Sequence, residues 1–360
     1  MKVLKTRTVC YCNYSIGETP YETVAEVCKP YGTKALLVGG KTALACGKER
    51  LEQALRGSDV EILQSVLYGQ DCTFSNVEKI QKLVEELNVD MIFGMGGGKA
   101  LDTAKAAGYQ TGKPVFTFPT IAATCAASTA LSVMYREDGS FDCFYFYPRP
   151  AVHCFIDLTI IAQAPAIYLQ AGMGDTIGKF FECHFSARGD KLEHSSALGR
   201  EISNMCYAPL LEYGEQALFD CEQNLVSTAL EQAVLANIIS TGLVSLSVLD
   251  EYNCAIAHSV YYGLVLLPGF EEQWLHGNVV AYGVLVQLAV DQDLEEAKRL
   301  KAFLQKLKIP TTLKEMNVST AREVLNPVLK ETVSGPDMEH IPYPVSEDMV
   351  YNAIKVIEAL

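Results

Sequence analysis

The sequence is poor in positive charge. Its 360 residues include 29 Lys and Arg against 43 Asp and Glu, for a formal net charge of -14 and an isoelectric point of about 4.9. Recognition of nucleic acid and of an anionic membrane surface both require clustered basic side chains. The composition therefore argues against both kinds of partner, and it says little about the substrate.

Two further absences bear on location. Residues 1–24 have neither the apolar core nor the small-residue cleavage site of a signal peptide. The 12 cysteines are scattered without a C-x-x-C pair, which is typical of reduced thiols. The most apolar region, 226–249, contains Glu231, Gln232 and Asn237, so it predicts a pair of buried helices and no membrane span. We expect a cytoplasmic protein without a membrane partner.

The first half of the chain alternates between two hydrophobic periodicities. Strand-like apolar runs lie at 34–40, 60–69, 89–98 and 114–120, and helix-like stretches lie at 41–57, 75–89 and 99–112. This alternation is typical of a parallel sheet covered by helices on both faces. The later residues are mainly helical in pattern. We therefore predict an α/β domain at 1–158 and a helical domain at 159–360.

A glycine-rich turn, GMGGG at 94–98, ends the third strand-like run and precedes a helix-like stretch. Such a turn presents backbone N–H groups at a helix N-terminus, and glycine permits the close approach of a phosphate. A tight turn without any ligand fits the spacing equally well. A Walker A loop does not fit, because Ala100 and Phe93 stand at two of its required positions. The ordinary dinucleotide fingerprint fits loosely, since it belongs after the first strand.

Three side chains in the second half are candidates for a divalent metal site. Asp175, His258 and His276 each lie in a helix-like stretch. One carboxylate and two imidazoles would leave an open position for water or substrate. The sequence contains six histidines, however, and a histidine on an apolar face is often a hydrogen-bonded core residue. Spacing alone leaves both interpretations open.

Five ordered motifs connect these features to a known family. They are GMGGGKALDTAK, PTIAATCAASTALSVMY, AGMGDTIGK, AIAHSVYYGL and HGNVVAYG. With them the chain resembles the iron-containing alcohol dehydrogenase superfamily, in its glycerol dehydrogenase-like branch. The hydroxycarboxylate dehydrogenase subgroup is the most similar, because it shares the T-C-A-A stretch and a C-terminal segment like that at 341–345.

The resemblance implies a Rossmann-like nucleotide-binding domain followed by an all-helical metal-binding domain, the dehydroquinate synthase-like fold. It implies a metal-dependent, NAD(P)-linked dehydrogenase in which Asp175, His258 and His276 are the metal ligands and catalytic residues. The metal would lower the pKa of an alcohol, and the nicotinamide would take the hydride. The positions that match the family's cofactor contacts are Gly39, Gly40, Lys41, Gly96, Gly97, Gly98, Lys99, Asp102, Thr120, Ala123, Thr129, Leu131 and Tyr135.

Two departures from the family concern the metal and the proton. Many iron-dependent members have a His four residues after the Asp ligand, where this chain has Lys179. That difference favours zinc over iron. Members often have a second His three residues after the first His ligand, where this chain has Tyr261. The resemblance therefore assigns no side chain to the proton relay.

Two more departures concern the substrate and the cofactor. Cys125 stands where glycerol dehydrogenases have an Asp that can accept hydrogen bonds from a polyol, and a thiol is a weak acceptor. We therefore expect a 2-oxo or 2-hydroxy acid as substrate, with glycerol or another polyol as the alternative. Gly40 and Lys41 stand where NAD-preferring relatives have an Asp, so we expect NADP(H) to be accepted and preferred. If Cys125 only packs and Lys41 is only solvated, polyol oxidation with NAD(H) follows instead.

Two alternatives lie outside the dehydrogenases. A metal- and NAD-dependent lyase or synthase on the same fold would need a basic substrate pocket, and the motif regions 121–135 and 255–283 contain no Lys or Arg. A non-catalytic nucleotide sensor would have lost the three metal ligands, which are intact here. Family members commonly form homo-oligomers, and we expect the same of this chain.

Overall fold

Parallel strands in the first half follow the alternation seen in the sequence. The computed structural model describes residues 10–360, so the part of the N-terminal prediction that rests on residues 1–9 lies outside it. The strands are β1 (Asn13–Gly17), β2 (Lys34–Gly39), β3 (Glu61–Leu67), β4 (Met91–Gly96), β5 (Val115–Pro119), β6 (Leu131–Tyr135), β7 (Phe141–Phe146) and β8 (His153–Asp157). Six of them form one parallel sheet in the order β1-β8-β5-β4-β2-β3. β6 and β7 form a separate antiparallel hairpin.

The strand order changes direction beside β2. The chain runs from β2 outward to β3 and then returns to the other side of β2 for β4, β5 and β8. In an open parallel sheet, a nucleotide usually binds at the carboxyl ends of the strands that flank such a switch point. The switch point here lies between β2 and β4, which end at Gly39 and Gly96.

Helices cover both faces of the sheet. They are α1 (Val24–Cys28), α2 (Lys41–Ala54), α3 (Phe74–Glu86), α4 (Gly98–Thr111) and α5 (Leu158–Gln163). Along β2, Ala35 and Leu37 belong to one buried apolar cluster, whereas Leu36 and Val38 belong to another. A strand buried on both faces is a continuous apolar run, which is why β2, β4 and β5 can be predicted from the sequence.

The remainder of the chain, residues 165–360, is described throughout and contains helices but no strand. These helices are α6 (Ala166–Ser186), α7 (His194–Ile202), α8 (Ala208–Glu222), α9 (Thr228–Leu235), α10 (Thr241–Ser247), α11 (Ile256–Leu264), α12 (Phe270–Gln273), α13 (His276–Val290), α14 (Leu294–Lys306), α15 (Arg322–Ser334) and α16 (Glu347–Ala359). The predicted fold class, a parallel α/β part followed by a helical part, is confirmed.

The described chain separates into two compact units. The α/β unit runs to Ala164 and includes Asn224–Val226, and the helical unit comprises Pro165–Gln223 and Ser227–Leu360. The sequence-based division at 158 and 159 stays a prediction.

The most apolar region forms one continuous helix, not the predicted pair. A π-helical turn at Ala236–Ser240 joins α9 to α10, so the helix runs over Thr228–Ser247. Of the helices in residues 10–360, this is the one whose length and composition would allow it to cross a membrane. However, 67% of its most apolar 18-residue stretch is buried within the protein. It is therefore a core helix of the helical unit.

Candidate functional site

Two helix N-termini lie at the switch point of the sheet. α2 begins after Gly40 and α4 begins after Gly97, and neither glycine supplies a side chain that caps the first N–H groups. Uncapped N–H groups and the partial positive charge of a helix N-terminus suit a phosphate or pyrophosphate. The turn at 94–98, predicted to bind phosphate, lies at this place.

Close packing explains the glycines around this turn. Gly96 has a φ of +147°, a backbone conformation that is strained for any residue with a side chain. Its carbonyl accepts a hydrogen bond from the N–H of Thr120 at 3.2 Å. A Cβ on Gly39 would lie only 2.7 Å from the carbonyl oxygen of Met95. The ends of β2, β4 and β5 therefore meet backbone to backbone.

The segment after β5 packs against the same turn. A Cβ on Gly98 would lie 3.4 Å from Oγ1 of Thr124. This contact brings the stretch that holds Thr120, Ala123 and Cys125 against the glycine-rich turn. Cys125 is half-buried there.

Two predicted cofactor residues lie together at the start of α4. The Nζ atom of Lys99 is 4.6 Å from the centroid of the Tyr135 ring, and it also forms an ion pair with Asp71. Lys41 is exposed at the first position of α2. A cation is thus present at the start of each of the two uncapped helices.

Asp102 is buried, and its partners are protein groups. Its Oδ1 pairs with Nζ of Lys105 at 3.0 Å, and its Oδ2 accepts a hydrogen bond from the N–H of Val133 at 3.1 Å. Burial raises the pKa of this carboxyl, against the opposing effect of Lys105. Lys105 also donates to the carbonyl of Leu131 at 2.5 Å and to Oγ1 of Thr129 at 3.2 Å. Through these contacts Asp102 supports β6 and the residues just before it.

In the helical unit, the three predicted metal ligands converge. Asp175 lies on α6, His258 on α11, and His276 is the first residue of α13. Oδ1 of Asp175 lies 3.6 Å from Nε2 of His258 and 3.4 Å from Nε2 of His276, and the three donor atoms all lie within 4.8 Å of one another. One anionic oxygen and two imidazole nitrogens at this spacing fit a divalent cation and leave room for a further ligand.

A close helix crossing brings Asp175 and His276 together. A Cβ on Gly277 would overlap the carbonyl oxygen of Ala171, and a Cβ on Gly174 would overlap the carbonyl oxygen of Gly277. α6 and α13 therefore approach to a distance that only glycine permits. Because Gly174 precedes Asp175 and Gly277 follows His276, the two ligands flank the crossing point.

A buried carboxylate that the sequence analysis does not single out holds His258. Glu182 lies on α6 and is 0% exposed. Its Oε2 lies 2.5 Å from Nδ1 of His258, and its Oε1 accepts hydrogen bonds at 2.8 Å from the N–H groups of Ala255 and His258. Glu182 follows Asp175 by two helical turns, so the two share a helix face. That spacing is the signal by which the sequence could have revealed it.

The charges in this cluster affect one another strongly. Burial disfavours the Asp175 carboxylate, but the adjacent rings of His258 and His276 outweigh that effect and hold its pKa well below the usual range. Burial alone would lower the pKa of His258. The neighbouring Cys254 and Glu182 outweigh it, however, and raise that pKa well above its usual value. A proton on His258 therefore competes with a metal ion for this site.

Lys179 and Tyr261 occupy the two positions at which the sequence departs from the family. The Nζ atom of Lys179 donates to the carbonyl and the side-chain Oδ1 of Asn253, at 2.8 and 3.1 Å. The ring of Tyr261 lies edge-on to His276, with the ring centroids 4.3 Å apart. Burial raises the pKa of Tyr261 to about 12, so its hydroxyl keeps its proton near neutral pH.

The chain is similar to known proteins over most of its length. The model of the family described as iron-containing alcohol dehydrogenase matches residues 13–153. A glycerol dehydrogenase of Escherichia coli O6:H1 is 30% identical over 355 residues, which are 96% of this chain and 94% of the relative. Hydroxycarboxylate dehydrogenase A of Escherichia coli K12 is 33% identical over 335 residues, 91% of this chain and 90% of the relative.

A solved structure extends the comparison to three dimensions. The crystal structure of glycerol dehydrogenase from Schizosaccharomyces pombe matches with a TM-score of 0.88 at 26% identity, and the match covers 99% of this chain and 91% of that one. The similarities confirm the resemblance and the fold that the motifs predict.

Proposed function

Because the chain belongs to the iron-containing alcohol dehydrogenase family and is a metal-dependent, NAD-linked alcohol oxidoreductase, we propose that Asp175, His258 and His276 hold its metal ion. The observation that carries the proposal is the convergence of their three donor atoms within 4.8 Å. Both His Nε2 atoms face the same carboxylate oxygen, as ligands of one shared cation would.

We place the dinucleotide at the switch point of the sheet. The uncapped N–H groups at the start of α4 and the turn at 94–98 suit its pyrophosphate. The remaining proposed contacts surround that turn or follow it in the chain. They are Gly39, Gly40, Lys41, Lys99, Thr120, Ala123, Thr129, Leu131 and Tyr135, with Asp102 supporting β6 from beneath.

A metal ion held by Asp175, His258 and His276 would supply polarisation of the substrate oxygen, and a bound nicotinamide would supply or accept the hydride that interconverts an alcohol and its carbonyl. The protein supplies binding and orientation. The His276 side chain is 34% exposed, more than those of Asp175 and His258, so it lies on the side from which a small molecule can approach. Tyr261 stays protonated beside it and can donate a hydrogen bond, but it is no base near neutral pH.

We propose zinc as the resident metal rather than iron. A carboxylate and two imidazoles form a donor set that zinc accepts in open catalytic sites. Lys179 stands one helical turn after Asp175, where a further His would lie in many iron-dependent members. Its ammonium group is hydrogen-bonded to Asn253, so it cannot act as a ligand.

We propose a 2-oxo acid or a 2-hydroxy acid as the substrate. Cys125 places a thiol, without a fixed charge, in the segment that packs against the glycine-rich turn. A carboxylate-bearing substrate meets no repulsion from it. The similarity to hydroxycarboxylate dehydrogenase A supports this choice. The similarity to glycerol dehydrogenases favours glycerol or another polyol as the second candidate.

We propose that NADP(H) is accepted and preferred. Gly40 follows the last residue of β2 and has no carboxylate to repel a 2′-phosphate, and the exposed Lys41 comes next. A positive side chain near this place is the usual partner of the 2′-phosphate. We propose a cytoplasmic location, which the 12 scattered cysteines without a C-x-x-C pair support. The protein is proposed to be a homo-oligomer, which light scattering would contradict by reporting a monomer.

The function is tested by initial rates of the zinc-loaded protein. The substrates are 2-oxobutanoate and 2-oxoglutarate with NADPH or NADH, and glycerol with NAD⁺. Faster reduction of the oxo acids with NADPH supports both proposals. Faster glycerol oxidation with NAD⁺ would overturn them in favour of a polyol dehydrogenase. Silence in every assay, with zinc bound, would favour the lyase or the sensor.

Matched variants separate the two specificity proposals. Cys125→Asp should raise glycerol oxidation relative to oxo-acid reduction, and Cys125→Ser, which adds no charge, should not. Gly40→Asp should weaken NADPH binding relative to NADH, whereas the uncharged Gly40→Asn should not. An Asp or an Asn fits at position 40, because a Cβ on Gly40 would meet only Cε1 of Tyr68, at 3.4 Å. A preference unchanged by the Asp variants would remove the assigned roles of these positions.

A further inference from the structure

We propose that Glu182 is the positioning residue of the metal site, and that it fixes which nitrogen of His258 is available to the metal. The inference rests on the proposed ligand set of Asp175, His258 and His276. Glu182 is not itself a proposed ligand. It acts on the metal through His258.

The contacts of Glu182 determine which nitrogen of His258 can bind a metal. Its two oxygens accept three hydrogen bonds, from Nδ1 of His258 at 2.5 Å and from the N–H groups of Ala255 and His258 at 2.8 Å. A carboxylate can accept hydrogen bonds but cannot donate them. In the neutral His258 ring that a metal ion requires, the single proton must therefore lie on Nδ1, because a proton on Nε2 would set two acceptors against each other.

Fixing the proton on Nδ1 exposes the lone pair of Nε2. That atom lies 3.6 Å from Oδ1 of Asp175, which is beyond a normal hydrogen bond. The same Asp175 oxygen lies 3.4 Å from Nε2 of His276. The three atoms thus surround a space suited to a cation, and Glu182 turns His258 so that a lone pair points into it.

Glu182 also fixes the position of the helix that carries His258. The N-cap of α11, Ala255, has no side chain that can cap the helix. Oε1 of Glu182 supplies that cap from α6, because it binds the N–H of Ala255 and the N–H of His258 at the third helical position. The helix N-terminus in turn favours a negative charge there. One carboxylate therefore sets both the start of α11 and the orientation of its ligand.

The burial of Glu182 is consistent with this role. A carboxylate with 0% exposure is costly to desolvate unless hydrogen bonds replace its water. Here both oxygens are occupied by groups of the ligand-bearing helix. A purely structural ion pair with a Lys or Arg would satisfy the charge equally well, but it would leave the His258 ring unconstrained.

The decisive variant is Glu182→Gln. It keeps the size and an oxygen that can accept the two backbone hydrogen bonds. It places an amide NH₂ opposite Nδ1 of His258, and this donor favours the other tautomer, with the proton on Nε2. We expect zinc affinity, measured by competition with a chelating dye, to fall by about 10- to 100-fold. Zinc affinity equal to that of the unmodified protein would overturn the proposal.

Asp220→Asn is the matched control. Asp220 is also a buried carboxylate of the helical unit, and it accepts hydrogen bonds from Ser227 and Gln216, neither of which is a proposed ligand. Its loss should lower stability in denaturant without changing zinc affinity. If both variants weakened zinc equally, the effect of Glu182 would be one of general stability, and the proposal would fail.

A second measurement covers the case in which Glu182→Gln does not fold. In ¹⁵N-histidine NMR of the zinc-loaded unmodified protein, the metal-shifted histidines should coordinate through Nε2 and retain a proton on Nδ1. Coordination through Nδ1 of His258 would overturn the proposal. Failure of the underlying site is distinguishable, because zinc binding would then be unaffected by His276→Ala.

Discussion

The turn between β4 and α4 and the cluster of Asp175, His258 and His276 show two ways of building a binding site. The turn offers backbone N–H groups from consecutive residues. Its glycines are required because they have no Cβ atom. The cluster offers side chains from three helices, and other parts of the protein must hold each of these side chains in position. For Asp175 and His276 this is a helix crossing, and for His258 it is Glu182.

The difference predicts different sensitivities. A backbone site depends on main-chain conformation, so added Cβ atoms should damage it more than changes of charge. A side-chain cluster depends on the distance between helices and on the partners of each ligand. Variants in each unit can be chosen so that one site is damaged while the other serves as its control.

The largest expected effect is a loss of stability in the α/β unit, at the buried pair of Asp102 and Lys105. Asp102→Ala leaves Lys105 buried without its carboxylate partner, whose Oδ1 lies 3.0 Å from Nζ. Removal of one partner of a buried pair costs about 3–5 kcal/mol, and denaturant unfolding should show a loss of this size. Lys99→Ala removes the exposed pair with Asp71 and should cost less than about 1 kcal/mol. If Asp102→Ala weakened only cofactor binding, Asp102 would be a direct cofactor contact.

The second effect concerns the crossing of α6 and α13. Gly277→Ala would place a Cβ against the carbonyl of Ala171 and force α6 and α13 apart. We expect a loss of about 3 kcal/mol in the free energy of unfolding, with loss of zinc binding and unchanged NADPH binding. Gly214→Ala is the control, because a Cβ there meets its nearest neighbours at an ordinary 3.4 Å. Tight zinc binding by Gly277→Ala would show that the crossing does not set the ligand distance.

The third effect strikes the glycine-rich turn. Gly96→Ala strains a residue whose φ is +147°, and strain of about 1–3 kcal/mol should weaken cofactor binding by about 10- to 100-fold. Titration of cofactor fluorescence measures this, and zinc affinity should stay unchanged. Gly57→Ala is the control, because Gly57 also has a positive φ but lies in the loop between α2 and β3. Equal losses of cofactor affinity in both variants would point to general destabilisation.

The smallest expected effect is a dependence of stability on pH that involves neither the glycine-rich turn nor the metal cluster. The N–H groups of Thr33 and Lys34 donate to Oδ2 of Asp90 at 2.8 and 2.9 Å and hold the pKa of that carboxyl below its usual value. Its contribution to stability is therefore complete above a pH of about 4 and is lost as the pH falls through the folded-state pKa.

Asp90→Asn tests this effect. The variant should be less stable than the unmodified protein by up to about 1 kcal/mol at pH 7, and the difference should vanish in acid. Unfolding curves at several pH values measure it. A difference that did not change with pH would contradict the role of the charge.

The parts of the fold that can be predicted are those whose structure is determined by their own short stretch of sequence. β2, β4 and β5 are apolar runs because both of their faces are buried, and the glycine-rich turn is one short motif. β1 and β8 are not predicted, because β1 is polar and partly exposed and their pairing joins distant parts of the chain, such as Asn13 with His153. The hairpin of β6 and β7 lies outside the main sheet and does not follow the alternation of strand and helix.

The helical unit shows a different limit. Motif resemblance names Asp175, His258 and His276, and the structure brings them together. Resemblance does not name Glu182, and its spacing of two helical turns from Asp175 is only a weak signal, because a Glu in a helix is usually solvated and only the tertiary structure places it beneath α11. The π-helical turn that joins α9 to α10 contains no Gly or Pro, so the sequence offers no break there and the prediction of two helices is wrong.

The positions of Asp175 and Glu182 on α6 also limit how this chain can vary. A helix turns by about 100° for each residue, so one residue inserted between them would swing Glu182 away from α11 while Asp175 stayed in place. Substitutions between these positions are compatible with the fold wherever their size allows. Insertions and deletions are not, and we expect naturally occurring variants of this chain to change in composition there without changing in length.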